Sequence, residues 1–201
     1  MPEELPQDAE DRGQDLFALP PDLPVPVDDG AADHLVGLLV PGIALPSTDG
    51  RLVRLTDLKA PRTVVYGYPR TGRPGEPPLS EDWDLIPGAR GCTSEACSFR
   101  DHHAELSSLG AEVYGVSIQE TDYQREAVVR LHLPFELLSD AHLELTRALR
   151  LPTFEVAGHT LLERLTFVIR EGRIEHVWYP VFPPDRHGVE VVSWLRTRPV
   201  R

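Results

Sequence analysis

Cys92 and Cys97 are the only two cysteines among the 201 residues. They lie five apart in the string PGARGCTSEACSFRD, which runs from Pro87 to Asp101. Gly and Pro precede Cys92 and a helical pattern follows it, so Cys92 falls where a loop turns into a helix. The first N–H groups of a helix lack intrahelical partners and point along the axis, and the dipole adds positive potential there. A sulfur anion is well placed at such a point, and the thiolate is the nucleophilic form of cysteine. Arg90, two residues earlier, adds a positive charge. A lone cysteine here would read equally well as an inert core residue. The second thiol is what argues for chemistry.

Residues i and i+5 of an α-helix stand roughly 140° apart in angle and about 7.5 Å in rise, which separates their Cα atoms by roughly 8.7 Å. A disulfide requires less than about 7 Å. The pair therefore bonds only if the first turn unwinds. This suits a two-stage cycle in which Cys92 reacts in a formed site and its sulfenic acid then condenses with Cys97. A structural staple is a poor alternative, because so short a loop removes little entropy from the unfolded chain. Reading Cys92, Cys97 and His102 or His103 as metal ligands matches no usual zinc spacing. No metal and no cofactor is expected.

The elements that must position this pair follow from periodicity. Ile43–Leu45 and Leu52–Leu55 flank Ser47-Thr48-Asp49-Gly50 as a hairpin. Thr63–Tyr68, β-branched and aromatic, reads as a buried central strand ending at Pro69. Residues 70–88 form a Gly/Pro-rich loop, too long for a simple connection. Ala96, Phe99, His103, Leu106 and Leu109 share one face of a helix over Thr93–Leu109, closed by Gly110. Glu112–Ile118 is a strand, 121–131 a helix, Leu133–Leu138 a short strand and Ala141–Leu149 a helix. Arg164–Ile169 and Ile174–Tyr179 are strands around Glu171-Gly172, and Val189–Leu195 is a final helix. Trp178–Pro184 reads as a strand end and an apolar packing loop. Strand–helix–strand units in the middle imply parallel pairing, and the late hairpin adds antiparallel strands. The result is an α/β fold, a mixed central sheet with helices on both faces and an N-terminal β-hairpin.

The net charge of −12 is uneven: residues 1–33 hold ten acidic residues against one basic, Arg12. With their prolines, these residues read as an acidic, extended N-terminal segment that Leu16, Phe17, Leu19, Leu23 and Val25 could pin to the surface of a domain spanning 34–201. Neither part offers the basic face of a nucleic-acid binder. No apolar run approaches the ~20 residues of a membrane span, and the acidic start does not resemble a targeting peptide. The expected location is cytoplasmic.

The run Cys92-Thr93-Ser94-Glu95-Ala96-Cys97-Ser98-Phe99-Arg100-Asp101 resembles the active-site helix of peroxiredoxins of the bacterioferritin-comigratory, or Q, type. Looser similarity extends over most of 35–196, through Tyr68-Pro69, the segment Leu133-Pro134-Phe135 to Leu138-Ser139-Asp140, and Arg164-Leu165-Thr166-Phe167-Val168-Ile169. The resemblance implies a thioredoxin-like fold and a thiol peroxidase acting on hydrogen peroxide or organic hydroperoxides. Cys92 would be the peroxidatic cysteine and Cys97 the resolving one. Arg164 would bind peroxide oxygens, and Glu95 would orient that arginine. It implies peroxide contacts at Pro69, Thr71, Arg90 and Gly91, recycling by thioredoxin or a similar dithiol, and a monomer or weak homodimer. One departure stands out. The family places a Thr three before the peroxidatic Cys and a Pro seven before it, whereas here Ala89 takes the first place and the matching Pro69 lies 23 before Cys92. That alignment implies an insertion of about 16 residues, in which Thr71 or Arg90 would have to replace the missing hydroxyl. Two rivals remain: a thioredoxin-like thiol–disulfide exchanger or redox sensor with weak peroxidase activity, and a non-catalytic binding module.

Overall fold

A computed structural model describes residues 16–200. The acidic stretch before Leu16 lies outside the described residues. Strand β1 (Ala44–Pro46) and β2 (Leu52–Arg54) form the N-terminal hairpin. Then come β3 (Arg62–Gly67), α1 (Cys92–Asp101), α2 (His103–Ser108), β4 (Ala111–Ser117), α3 (Thr121–Leu131), β5 (Glu136–Ser139) and α4 (Glu144–Leu149). A second hairpin, β6 (Thr153–Val156) with β7 (His159–Leu162), precedes β8 (Leu165–Arg170), β9 (Arg173–Trp178) and α5 (His187–Arg196). The main sheet has the order β5-β4-β3-β8-β9. β3 runs parallel to β4 and antiparallel to β8, β4 runs parallel to β5, and β8 and β9 are antiparallel. This is the mixed sheet that the element order implies, in the thioredoxin-like form that the resemblance implies.

Side-chain alternation along the strands builds two cores. Val65 of β3 and Leu165, Phe167 and Ile169 of β8 face one side, where α4, through Leu145 and Leu149, joins the N-terminal hairpin and Leu35. Val64 and Tyr66 face the other, where they meet Ala96 and Phe99 of α1, Leu106 of α2, Ala127 and Leu131 of α3, and Val191 and Leu195 of α5. β3 is buried along its whole length, as its β-branched run requires. The chain leaves its C-terminal end at Tyr68-Pro69, below the start of α1.

Four local readings need correction. The single helix over Thr93–Leu109 is two helices, starting at Cys92 and interrupted at His102 (φ −103°, ψ 5°), whose Nδ1 lies 2.8 Å from the Ser98 carbonyl oxygen. The helix placed over Ala141–Leu149 starts only at Glu144, because Asp140 caps it by accepting the Leu145 and Thr146 N–H groups at 3.0 and 2.8 Å. Arg164, taken as the first residue of a strand, precedes that strand by one residue and is buried. The β6–β7 hairpin has no counterpart in the sequence reading. Ala157 and Gly158 make its turn, both with positive φ (49° and 76°). It packs Leu161, Phe154 and Val156 against Leu79, Trp83 and Ile86 of the long loop, with Ala89 between them. The loop is thus ordered, with a 3-10 turn at Trp83–Leu85.

Arg62, at the start of β3, is buried and donates two bonds to Glu175 of β9, at 2.6 and 2.7 Å. The bond from Arg62 holds the Glu175 carboxyl below its ordinary value of 4.5. A depressed carboxyl stabilises the fold above its unfolded pKa, and that stability is lost as pH falls through the folded value. Glu175→Gln therefore lowers the unfolding free energy at pH 7 by about 2–3 kcal/mol, since it leaves Arg62 buried without a counter-charge. Urea titrations at pH 7 and at pH 3 check this, with the gap between the two proteins shrinking below pH 4.5.

Candidate active site

Cys92 is the first residue of α1, and the residue before it must enter the helix steeply. Gly91 does so at φ 105°, a backbone conformation that side chains disfavour, and a Cβ there would stand 2.4 Å from Pro184 Cγ. At its other end α1 is held against α5. The Gly188 N–H donates to Ser98 Oγ at 3.0 Å, and a Cβ on Gly188 would lie 2.6 Å from the Ser98 carbonyl oxygen. Beneath the helix, Phe99 stacks on Tyr66 at 4.7 Å, and Tyr66 on Tyr68 at 5.6 Å. Buried aromatic rings with fixed rotamers make a rigid floor.

Cys92 is buried, 4% exposed. Arg164 Nη2 donates to it at 3.1 Å, and Cys92 Sγ also stands 3.7 Å from the Ala89 carbonyl oxygen, which it faces as a thiol donor. The same Nη2 shares its hydrogens with the carbonyl oxygens of Gly88, Ala89 and Arg90 at 3.1, 3.4 and 3.2 Å. Nη1 donates to Glu95 Oε2. Arg164 and Glu95 are both fully enclosed. Burial pushes the Glu95 carboxyl up against the pull of Arg164. Burial pulls the Arg164 guanidinium down, and its interactions with Cys92 and Glu95 outweigh that and hold it well above its ordinary range. One planar guanidinium thus ties together the loop before α1, the first turn of α1 and the Cys92 sulfur.

Cys97 lies on the same helix, half-buried, and both cysteines are free thiols. Burial pushes the Cys97 thiol up against the attraction of Arg100. A residue held as the thiol is a poor first nucleophile.

A cleft of about 50 Å³ opens beside Cys92. Its walls include Ala89, Arg90, Gly91, Trp83, Tyr123 and Leu16. Arg90 and Gly91 therefore border it, and Arg90 Nη1 is turned to Asp84 at 3.3 Å. Pro69 and Thr71 are buried but are not among the lining residues. The Thr71 N–H and hydroxyl both donate to Gln119 Oε1, at 2.9 and 3.1 Å. Sequence reasoning missed Trp83 and Tyr123 as cleft walls. Tyr123 carries its signal only in space, with the guanidinium carbons of Arg70 and Arg73 over its ring at 4.8 and 3.8 Å.

The Redoxin family pattern matches residues 35–192. Over 164 residues the chain is 30% identical to peroxiredoxin Bcp of Escherichia coli K12, covering 80% of this chain and 94% of that one. Over 188 residues it is 30% identical to the chloroplastic peroxiredoxin Q of Gentiana triflora, covering 90% and 78%. The chain belongs to the peroxiredoxins, in the Bcp/Q subfamily. Among solved structures, peroxidoxin BcpB of Mycobacterium tuberculosis superposes with a TM-score of 0.67 at 26% identity, over 82% of this chain and 98% of that one. As a peroxiredoxin of this subfamily the protein is a thiol peroxidase. Among the described residues no helix is long and apolar enough to cross a membrane.

Removing one member of a buried ion pair strands the other, at a cost of about 3–5 kcal/mol. Arg164→Met and Glu95→Gln should each destabilise this peroxiredoxin strongly, and the double variant should lose less than the sum. A double-mutant cycle by urea unfolding is expected to give a coupling of about 2 kcal/mol or more; independent effects would contradict the pairing.

Proposed function

We propose that the Cys92 thiolate attacks one oxygen of hydrogen peroxide or an organic hydroperoxide. The S–O bond forms as the O–O bond breaks, and the leaving oxygen takes a proton and departs as water or alcohol. Charge moves from sulfur to that oxygen during the displacement, and a fixed donor fork stabilises the shift. Arg164 is the fork and Glu95 orients it. The observation that carries this reading is the single guanidinium that bonds Glu95 and stands 3.1 Å from the Cys92 sulfur.

Cys97 then condenses with the Cys92 sulfenic acid, and thioredoxin or a similar dithiol reduces the disulfide. The raised Cys97 thiol supports this division of labour, because it leaves Cys92 to react first. Arg90 and Gly91 border the cleft and are the peroxide-facing candidates. Thr71 would serve only if its hydroxyl exchanged Gln119 for the peroxide, and Pro69 acts as backing to that loop. We read the working unit as a monomer or weak homodimer and its place as the cytoplasm.

Two observations favour a second reading, thiol–disulfide exchange with weak peroxidase activity. Ala89 has no hydroxyl where the resembling helices carry Thr, and the Thr71 hydroxyl is already bonded. Stopped-flow kinetics with hydrogen peroxide separate the two. Peroxide reduction predicts that Cys92→Ser abolishes turnover, while Cys97→Ser consumes one equivalent of peroxide at the native rate and then stalls as a sulfenic acid. Reaction of Cys92 no faster than free cysteine, with rapid exchange on protein disulfides, selects the second reading.

A further inference from the structure

The segment from Leu16 to Val27 precedes the residues that the Redoxin pattern matches. Its described contacts converge on the active-site loop and the first turn of α1. Leu16 is a wall of the cleft beside Cys92, and a Cβ on Gly72 would stand 2.9 Å from Leu16 Cδ2. The Phe17 carbonyl accepts the hydroxyl of Ser94 at 3.0 Å. Leu19 Cδ2 would stand 3.0 Å from a Cβ on Gly91. Pro26 borders a small hollow with Gly88 and Arg164.

Ser94 lies in the turn that must unwind. With Cys92 and Cys97 both in α1, their Cα atoms are roughly 8.7 Å apart by helix geometry, beyond the span of a disulfide. The bond from Ser94 to Phe17 and the contact of Leu19 at Gly91 both belong to the wound turn. A contact made only in one of two states shifts the balance toward that state.

We propose that Leu16–Leu19 is a positioning segment for peroxide reduction: it clamps the first turn of α1 in its wound form, walls the cleft in that form, and must lift before Cys97 can resolve Cys92. The inference rests on Cys97 being the resolving thiol. In the step it controls, the S–S bond forms between the Cys92 sulfenic acid and Cys97, the S–O bond breaks, and hydroxide leaves with the Cys97 proton as water. No further oxidant is consumed. A clamp prolongs the life of the sulfenic acid and so raises the yield of sulfinic acid when a second peroxide arrives.

The test uses the full-length protein carrying Leu16→Ser and Leu19→Ser together, and separately Ser94→Ala. Each reduced protein receives one equivalent of hydrogen peroxide, is quenched over time with an alkylating reagent, and is read by mass spectrometry. Disulfide formation is expected to quicken about five-fold in the double variant, the population change that one ordinary hydrogen bond of net stability supplies. Ser94→Ala should move the same way. With excess peroxide the sulfinic acid yield of the double variant should fall. General loosening of the fold would also lower the urea midpoint of unfolding, which should stay native in both variants. Amide exchange of residues 16–27 should rise when the native protein passes from dithiol to disulfide. Native rates of resolution in both variants, or unchanged exchange, overturn the proposal while leaving Cys97 as the resolving thiol. Absence of any Cys92–Cys97 disulfide overturns that assignment, and this inference with it.

Discussion

A buried guanidinium must satisfy its donors inside the protein or lose several kcal/mol of stability. Arg164 meets most of that demand by drawing three backbone carbonyls and two side chains around its Nη atoms, while its buried Nε has no partner among the described residues. The carbonyls of Gly88, Ala89 and Arg90 line the loop that leads into α1, Glu95 ties Nη1 to the first turn of that helix, and the Cys92 sulfur shares Nη2 with the carbonyls. The loop conformation, the entry of the helix at Gly91 and the place of the sulfur are consequences of one planar group. The sheet serves this arrangement. It sets Arg164 at the start of β8, beside the central β3 after which the chain turns toward α1.

The two thiols share a helix but not an environment. Cys92 stands at its first residue against the guanidinium, whereas Cys97 is half-buried with its thiol raised by burial. In the proposed cycle the guanidinium, which bonds Cys92, favours that sulfur as the first to react, and helix geometry makes the second step conditional on unwinding. The contacts that resist unwinding are Pro184 against Gly91, Gly188 against Ser98, and the Phe17 carbonyl on the Ser94 hydroxyl.

What the sequence made legible was whatever has a period or a local chemical signature. The β-branched run of β3, the turn at Ser47–Gly50 and the cysteine pair at a helix start all declare themselves within a dozen residues. The β6–β7 hairpin does not. Its residues show no clean alternation, and its apolar side chains are buried only by Trp83 and its neighbours, some seventy residues earlier. The interruption at His102 was likewise hidden, because the apolar face continues through it. No local pattern marks Arg164 as a buried cation. Its role came only with the resemblance, since burial of a charge depends on a partner 69 positions away. Thr71 shows the reverse failure: position made it a candidate hydroxyl, and Gln119, distant in sequence, holds that hydroxyl elsewhere.

If one guanidinium organises the sulfur, charge without its planar fork cannot replace it. The most direct test is the second-order rate constant of Cys92 oxidation by hydrogen peroxide in Arg164→Lys, measured by stopped flow on protein whose folding is verified. The account predicts a fall of about a hundred-fold or more. A rate within two- or three-fold of the native protein would contradict it.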